Sequence, residues 1–155
     1  MLFRSEDTGG SIRGPAAVSS LVGLRPTVPL VSRFGMMPAV PVSDTLGPIT
    51  RTVRDAAILL DVIAGYDSND PITAASAGSV PKTYTAFLDR NALKGARIGV
   101  LRDPLDAKTD VKSEDYGKVR MVVDKAIADL RRLGADVVDP VAIPKLREKI
   151  GRAHV

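Results

Sequence analysis

Apolar positions recur at helical spacing in two stretches of the chain. Val53, Ala56, Ala57, Leu60, Ile63 and Ala64 predict one helix, which Gly65 would stop. Thr52 with Asp55 three residues on resembles a capping box at its start. Val119, Val122, Val123, Ala126, Ile127, Leu130 and Leu133 predict a second helix over Glu114–Leu133, stopped by Gly134. Two short apolar runs flank that helix: Ala96–Leu101 before it reads as a buried strand and Ala135–Val138 after it as another strand. Strand, helix and strand over 96–139 make a βαβ unit with parallel strands and a right-handed crossover.

The rest of the pattern is broken by turn residues. Residues 7–15 read as a loop, and Pro15 opens a short, buried helix running from Ala16 to Leu21. Val22–Thr27 reads as a short strand or extended segment. Residues 28–50 hold Pro29, Pro38, Pro41 and Pro48 and read as one long irregular stretch. Tyr66–Pro81 and Asp103–Ser113 read as loops, and Tyr84–Asp89 as one or two helical turns. No internal repeat is visible. The sum is an α/β fold.

Composition narrows the function. A chain of 155 residues makes one domain, here with 45% apolar and 26% charged residues and a mean hydropathy of +0.06. No apolar stretch approaches the roughly 20 residues a membrane helix needs, and Met1–Arg13 has no apolar signal-peptide core. The absence of cysteine excludes disulfides and thiol nucleophiles. Aromatics at 4% and a net charge of +4 spread among acidic residues argue against a nucleic-acid surface. These features set a cytoplasmic location as the default expectation. The one histidine, His154, stands next to last. A Ser-His-Asp triad and a histidine-ligated metal both need an imidazole held by packing, so neither is expected. No cofactor or metal is implied.

Both ends read as foreign to the rest. Leu2–Ser5 can be written as the codons CTC TTC CGA TCT, and Ile150–Val155 as ATC GGA AGA GCA CAC GTC. Both match adapter oligonucleotides used in DNA sequencing. The natural segment is therefore expected to run from about Glu6 to about Lys149, a single partial domain truncated at both ends, with residues 1–5 and 150–155 adapter-derived.

The chemistry concentrates at Gly9-Gly10-Ser11. Paired glycines let the backbone approach a bound group and converge its N–H groups on an anion. A serine at their edge adds a hydroxyl, which is what acyl transfer needs: an attacking oxygen and donors for the developing oxyanion. The same three residues also occur in plain turns. A phosphate loop is the third reading, although no Gly-Lys-Ser/Thr follows. Asp7 and Arg13 flank the loop, either orienting the nucleophile or fixing the turn as an ion pair and backbone tether, the latter being favoured. Met36 and Met37 either line a channel or fill gaps. Ser19, Ser20, Ser32 and Ser43 lack the two preceding glycines and read as structural.

The run Asp7-Thr8-Gly9-Gly10-Ser11-Ile12-Arg13-Gly14-Pro15-Ala16-Ala17 resembles the amidase signature family. So do Gly23-Leu24-Arg25-Pro26-Thr27, Ser32-Arg33-Phe34-Gly35, Asp44-Thr45-Leu46-Gly47-Pro48, Arg51-Thr52-Val53-Arg54-Asp55-Ala56-Ala57 and Ile63-Ala64-Gly65-Tyr66-Asp67, in that order. Lys94–Leu101 is similar to a further strand of that family. The resemblance implies an α/β/α fold with a mixed central sheet. It also implies hydrolysis of small carboxylic amides through a serine acyl-enzyme, driven by a Ser–Ser–Lys triad. Ser11 would be the nucleophile, and the backbone N–H groups of Thr8, Gly9, Gly10 and Ser11 the oxyanion hole. The family's lysine and bridging serine precede the position of Asp7, so this chain alone is expected to be inactive, and no lysine after Ser11 is promoted to base. Glu6 stands where many family members carry threonine. The alternatives are the glutaminase-type subunit of a tRNA-dependent amidotransferase, which works with partner proteins, and a non-catalytic anion-binding segment. In a truncated domain the apolar faces of 53–64 and 119–133 would be incompletely covered, which favours association into oligomers.

Overall fold

A computed structural model describes residues 3–102 and 109–146, with backbone alone for residues 3–5. Part of the Asp103–Ser113 loop, His154 and the segment 150–155 lie outside the described residues. The chain divides into two units, Met1–Leu88 and Asp89–Val155.

The first unit is built on three antiparallel strands. They are β1 (Phe3–Asp7), β2 (Val22–Gly23) and β3 (Thr45–Thr50), in the spatial order β1-β3-β2. Asp7 stands opposite Thr45 and Phe3 opposite Ile49, while Val22 pairs with Thr50. The central strand lies inside the stretch expected to be irregular. Its prolines look like breakers, but Pro48 lacks only the donor half of a ladder pair. Its carbonyl accepts Leu24 N–H at 3.0 Å. Gly47 is required there, because a Cβ would stand 2.1 Å from the Leu24 carbonyl oxygen and 2.9 Å from Ile12 Cδ1.

The first helix, α1 (Arg13–Val18), begins ahead of Pro15 and is not the buried element expected. Six residues make fewer than two turns and present only Ala16 to the core; Val18 is 87% exposed. α2 (Val53–Ile63) follows the sequence reading closely. Thr52 Oγ1 accepts Asp55 N–H at 3.1 Å, and Ala56, Ala57 and Leu60 are buried. On another face, the Asp61 carboxylate accepts the Thr83 hydroxyl at 2.7 Å and Tyr84 N–H, fixing the 3-10 turn Tyr84–Phe87 to α2. A second 3-10 turn, Pro71–Ser76, interrupts the loop expected over 66–81.

The second unit holds β4 (Arg97–Gly99), α3 (Glu114–Arg132) and β5 (Asp136–Val138). β4 and β5 are parallel, with Ile98 opposite Val137, as the βαβ reading expected, but β4 is not the buried strand expected: Arg97 and Gly99 are exposed and Ile98 is only half-buried. Ser113 Oγ accepts Tyr116 N–H at 3.2 Å to cap α3. Glu114 and Asp115 in its first turn and Arg131 and Arg132 in its last suit the helix dipole. Of its apolar side, only Ile127 is buried; Val119 is 61% and Val122 70% exposed. Arg102 clamps Asp139 through two bonds of 2.7 and 2.6 Å.

Candidate active site

The site is organised by a buried carboxylate. β1 ends at Asp7, whose side chain is fully buried. Its Oδ1 accepts Gly10 N–H at 2.7 Å and its Oδ2 accepts Ile12 N–H at 3.1 Å. Arg13 Nε donates to Oδ2 at 3.2 Å, and Arg25 Nε lies 3.4 Å from Oδ1. Burial alone would raise the Asp7 carboxyl; the hydrogen bonds from Arg13, Ile12 and Gly10 outweigh it and hold the group below the ordinary carboxylate range. The tether expected at Asp7 is therefore both an ion pair and a pair of backbone bonds.

Those two amide bonds shape the loop. Gly10 has φ +145, which suits glycine and few other residues. Ile12 is pulled inward and is fully buried against Ala16 and Ile49. Gly23 makes room for it, since a Cβ there would lie 2.6 Å from Ala16 Cβ and 2.9 Å from the Ile12 carbonyl oxygen. Ser11, between the two tethered residues, is exposed. Thr8 and Gly10 are half-buried and Gly9 is exposed. The four site residues named from the sequence thus form one contiguous loop, and one of its N–H groups, that of Gly10, is engaged by Asp7.

A second buried aspartate stands next to Thr45, the residue paired with Asp7. Asp44 Oδ2 accepts Ala39 N–H and Val40 N–H, both at 2.6 Å. Burial pushes its carboxyl up; the Thr8 hydroxyl and the Val40 and Ala39 amides bring it below its ordinary value. Arg25 joins the two systems, because its Nη2 donates to the Ser43 carbonyl while its Nε faces Asp7. Neither Arg25 nor Asp44 stands out from the sequence. Both lie inside motif segments, and the only signal is a charged residue beside a proline or a strand start. Ser32 and Ser43 have structural bonds, to Asp67 Oδ2 at 2.6 Å and to the Val40 carbonyl at 3.5 Å. Among the described residues no group of three or more His, Cys, Asp or Glu could hold a metal ion.

Comparison with known proteins decides the family. The family model described as Amidase matches residues 5–152. The chain belongs to the amidase signature family. It is 42% identical over 141 residues to a glutamyl-tRNA(Gln) amidotransferase subunit of Microcystis aeruginosa, covering 91% of this chain and 27% of that protein. Native peptide amidase from Stenotrophomonas maltophilia superposes with a TM-score of 0.84 at 42% identity, over 98% of this chain and 29% of that one. An amidase family protein from Bacillus anthracis gives a TM-score of 0.78 at 36% identity, over 94% and 27% respectively. The chain thus spans about 27–29% of the length of these relatives. Its fold class is that of the amidase signature enzymes, α/β. Among the described residues no helix is long and apolar enough to cross a membrane.

Proposed function

We propose that this segment carries the nucleophile of an enzyme that hydrolyses small carboxylic amides, with Ser11 as the attacking residue. The supporting observation is the Asp7 tether: residues 10 and 12 are fixed to one carboxylate and the serine between them stands exposed. Fixing a loop before substrate arrives is how backbone donors become effective toward a developing oxyanion. Ser11 Oγ adds to the amide carbonyl and gives up its proton to a base. The C–N bond then breaks as the amine leaves protonated, and water hydrolyses the resulting ester to the acid. On this reading the negative oxygen of the tetrahedral intermediate is met by backbone N–H groups of the Thr8–Ser11 loop, whose shape is set in part by the Gly10 N–H bond to Asp7 at 2.7 Å.

No lysine of this segment is assigned as the base; the resemblance implies that the base and the bridging serine of the triad precede the position of Asp7 in the full-length protein. Residues 1–155 alone would then retain only the residual catalysis of an incomplete triad, about 10³–10⁴ over water in other serine hydrolases. The test is amide turnover by the full-length protein carrying this segment. Ser11→Ala removes turnover on this reading, and turnover that survives the substitution rules it out. The likeness to an amidotransferase subunit supports a second reading, in which the amide is glutamine and partner proteins receive the ammonia. Ammonia release from glutamine, with none from other small amides, would select it.

A further inference from the structure

The Asp7 carboxylate has two kinds of partner. Gly10 N–H, Ile12 N–H and Arg13 belong to the loop that carries Ser11 and to the helix it enters, within six residues of Asp7. They give the loop its shape and would move with it. Arg25 comes from elsewhere, in the segment after β2. Its side chain is 27% exposed, and its Nε stands 3.4 Å from Asp7 Oδ1, the oxygen that also takes Gly10 N–H. Its Nη2 donates to the carbonyl of Ser43, 18 residues further along the chain. The far end of that bridge is a closed turn. The Val40 carbonyl accepts Ser43 N–H at 3.0 Å and Asp44 N–H at 2.9 Å. The buried Asp44 Oδ2 accepts Ala39 N–H and Val40 N–H, both at 2.6 Å. One planar guanidinium thus spans two loops, with a carboxylate on one edge and a carbonyl on another, a fork that a lone ammonium nitrogen does not offer.

We infer that Arg25 is a positioning residue for Ser11: it fixes the Asp7-held loop to the 39–44 turn, so that the serine and the loop amides keep one setting within the first unit. The inference rests on the reading of Ser11 as nucleophile. Arg25 acts through Asp7 rather than on the reacting atoms. The charge of Asp7 does not hang on it, because the bonds that hold that carboxyl below the ordinary range come from Arg13, Ile12 and Gly10. What Arg25 adds is place. Without it Asp7 keeps its two amides and Arg13, so the loop retains its internal shape but loses its side-chain link to the turn before β3. A displacement of about 1 Å in a reacting group costs up to about 100-fold in rate, which makes such a link count in the chemical step rather than in binding.

The test is the rate at which an alkyl fluorophosphonate labels Ser11 in the full-length protein carrying this segment, followed against probe concentration well below the melting temperature of each variant. It yields a limiting rate and a half-saturating concentration. Arg25→Met lowers the limiting rate about ten- to hundred-fold and moves half-saturation by less than about two-fold. Arg25→Lys keeps the charge without the fork and falls between the parent and Arg25→Met. Because it retains a cation for Asp7, it also decides the matter where Arg25→Met fails to fold. A loss of folded protein alone lowers the fraction labelled and leaves the limiting rate as it was. Arg54→Met, on the exposed start of α2, labels as the parent does. The proposal is overturned if Arg25→Lys and every folded Arg25→Met sample label at the parental limiting rate, if their effect lies in half-saturation or in the fraction labelled alone, or if Arg54→Met slows labelling as much. A parent that forms no Ser11 adduct overturns the nucleophile reading and this proposal with it. A labelled parent whose rate is indifferent to residue 25 overturns this proposal alone.

Discussion

The two units order themselves by different means. In the first, apart from α2, short elements with little propensity of their own are held by buried groups: Asp7 and Asp44 each take two backbone amides, and Ile12 closes the space that Gly23 and Gly47 leave open. In the second, a 19-residue helix is well capped and well charged yet buries one side chain, Ile127. Strong local signals make the second unit easy to read from sequence, although it is weakly packed in structure. The loop that carries Ser11 is the reverse, since its shape depends on groups brought from β1, β3 and the turn after β2.

The contrast predicts unequal responses to substitution. Asp7→Ala strands two amides and leaves the solvent-accessible Arg13 and Arg25 without their carboxylate; it should cost about 2–4 kcal/mol in the first unit, chiefly from the two unsatisfied amides. Urea unfolding followed at the Ile12 NMR signal measures this, and a loss under about 1 kcal/mol would remove Asp7 as organiser. Gly47→Ala forces a methyl against the Leu24 carbonyl and should cost about 3 kcal/mol, the upper end for overpacking, by the same assay.

Acid should separate the units as well. Asp7, Asp44, Asp67 and Asp70 are held below their ordinary values in the first unit, against Asp139 in the second. A lowered carboxyl contributes stability that is complete above its unfolded pKa of about 3.9 and is lost as pH falls through the folded value. The first unit therefore takes up more protons on unfolding and should lose stability more steeply below about pH 4. Ile12 and Ile127 signals followed in one pH titration report the two slopes, and equal slopes would contradict the assignment of these carboxylates. Smaller still, Ser113→Ala should lower the stability of α3 by about 1 kcal/mol, read by circular dichroism. Val122→Ser, on the uncovered side of the same helix, should change it by less than about 0.5 kcal/mol.

What the sequence discloses cuts across that division, since each unit holds one helix with strong local signals. α2 and α3 are legible because apolar spacing and caps are local: Thr52 and Ser113 cap as side chains of their type do, and Gly134 ends α3 at φ +92. β4 and β5 are legible from short apolar runs. β3 is hidden, because Pro48 and Gly47 look like breakers until Leu24 and Ile12 are seen packing against them. At the candidate site the residues are legible from motif and their supports are not. Gly9-Gly10-Ser11 can be picked out of the chain, and Asp7 is open to a tethering role. The bridging contacts of Arg25 and the amides taken by Asp44 depend on the folded arrangement of separate chain segments. The engagement of Gly10 N–H by Asp7 is likewise visible only in the folded loop.

The claim on which the account turns is that the Asp7-held loop presents Ser11 as the nucleophile. Fluorophosphonate labelling of the full-length protein carrying this segment, with the modified residue located by mass spectrometry, tests it most directly. The account predicts a single adduct on Ser11 that disappears in Ser11→Ala. An adduct on Ser19, Ser20, Ser32 or Ser43, or unchanged labelling in the variant, would contradict it.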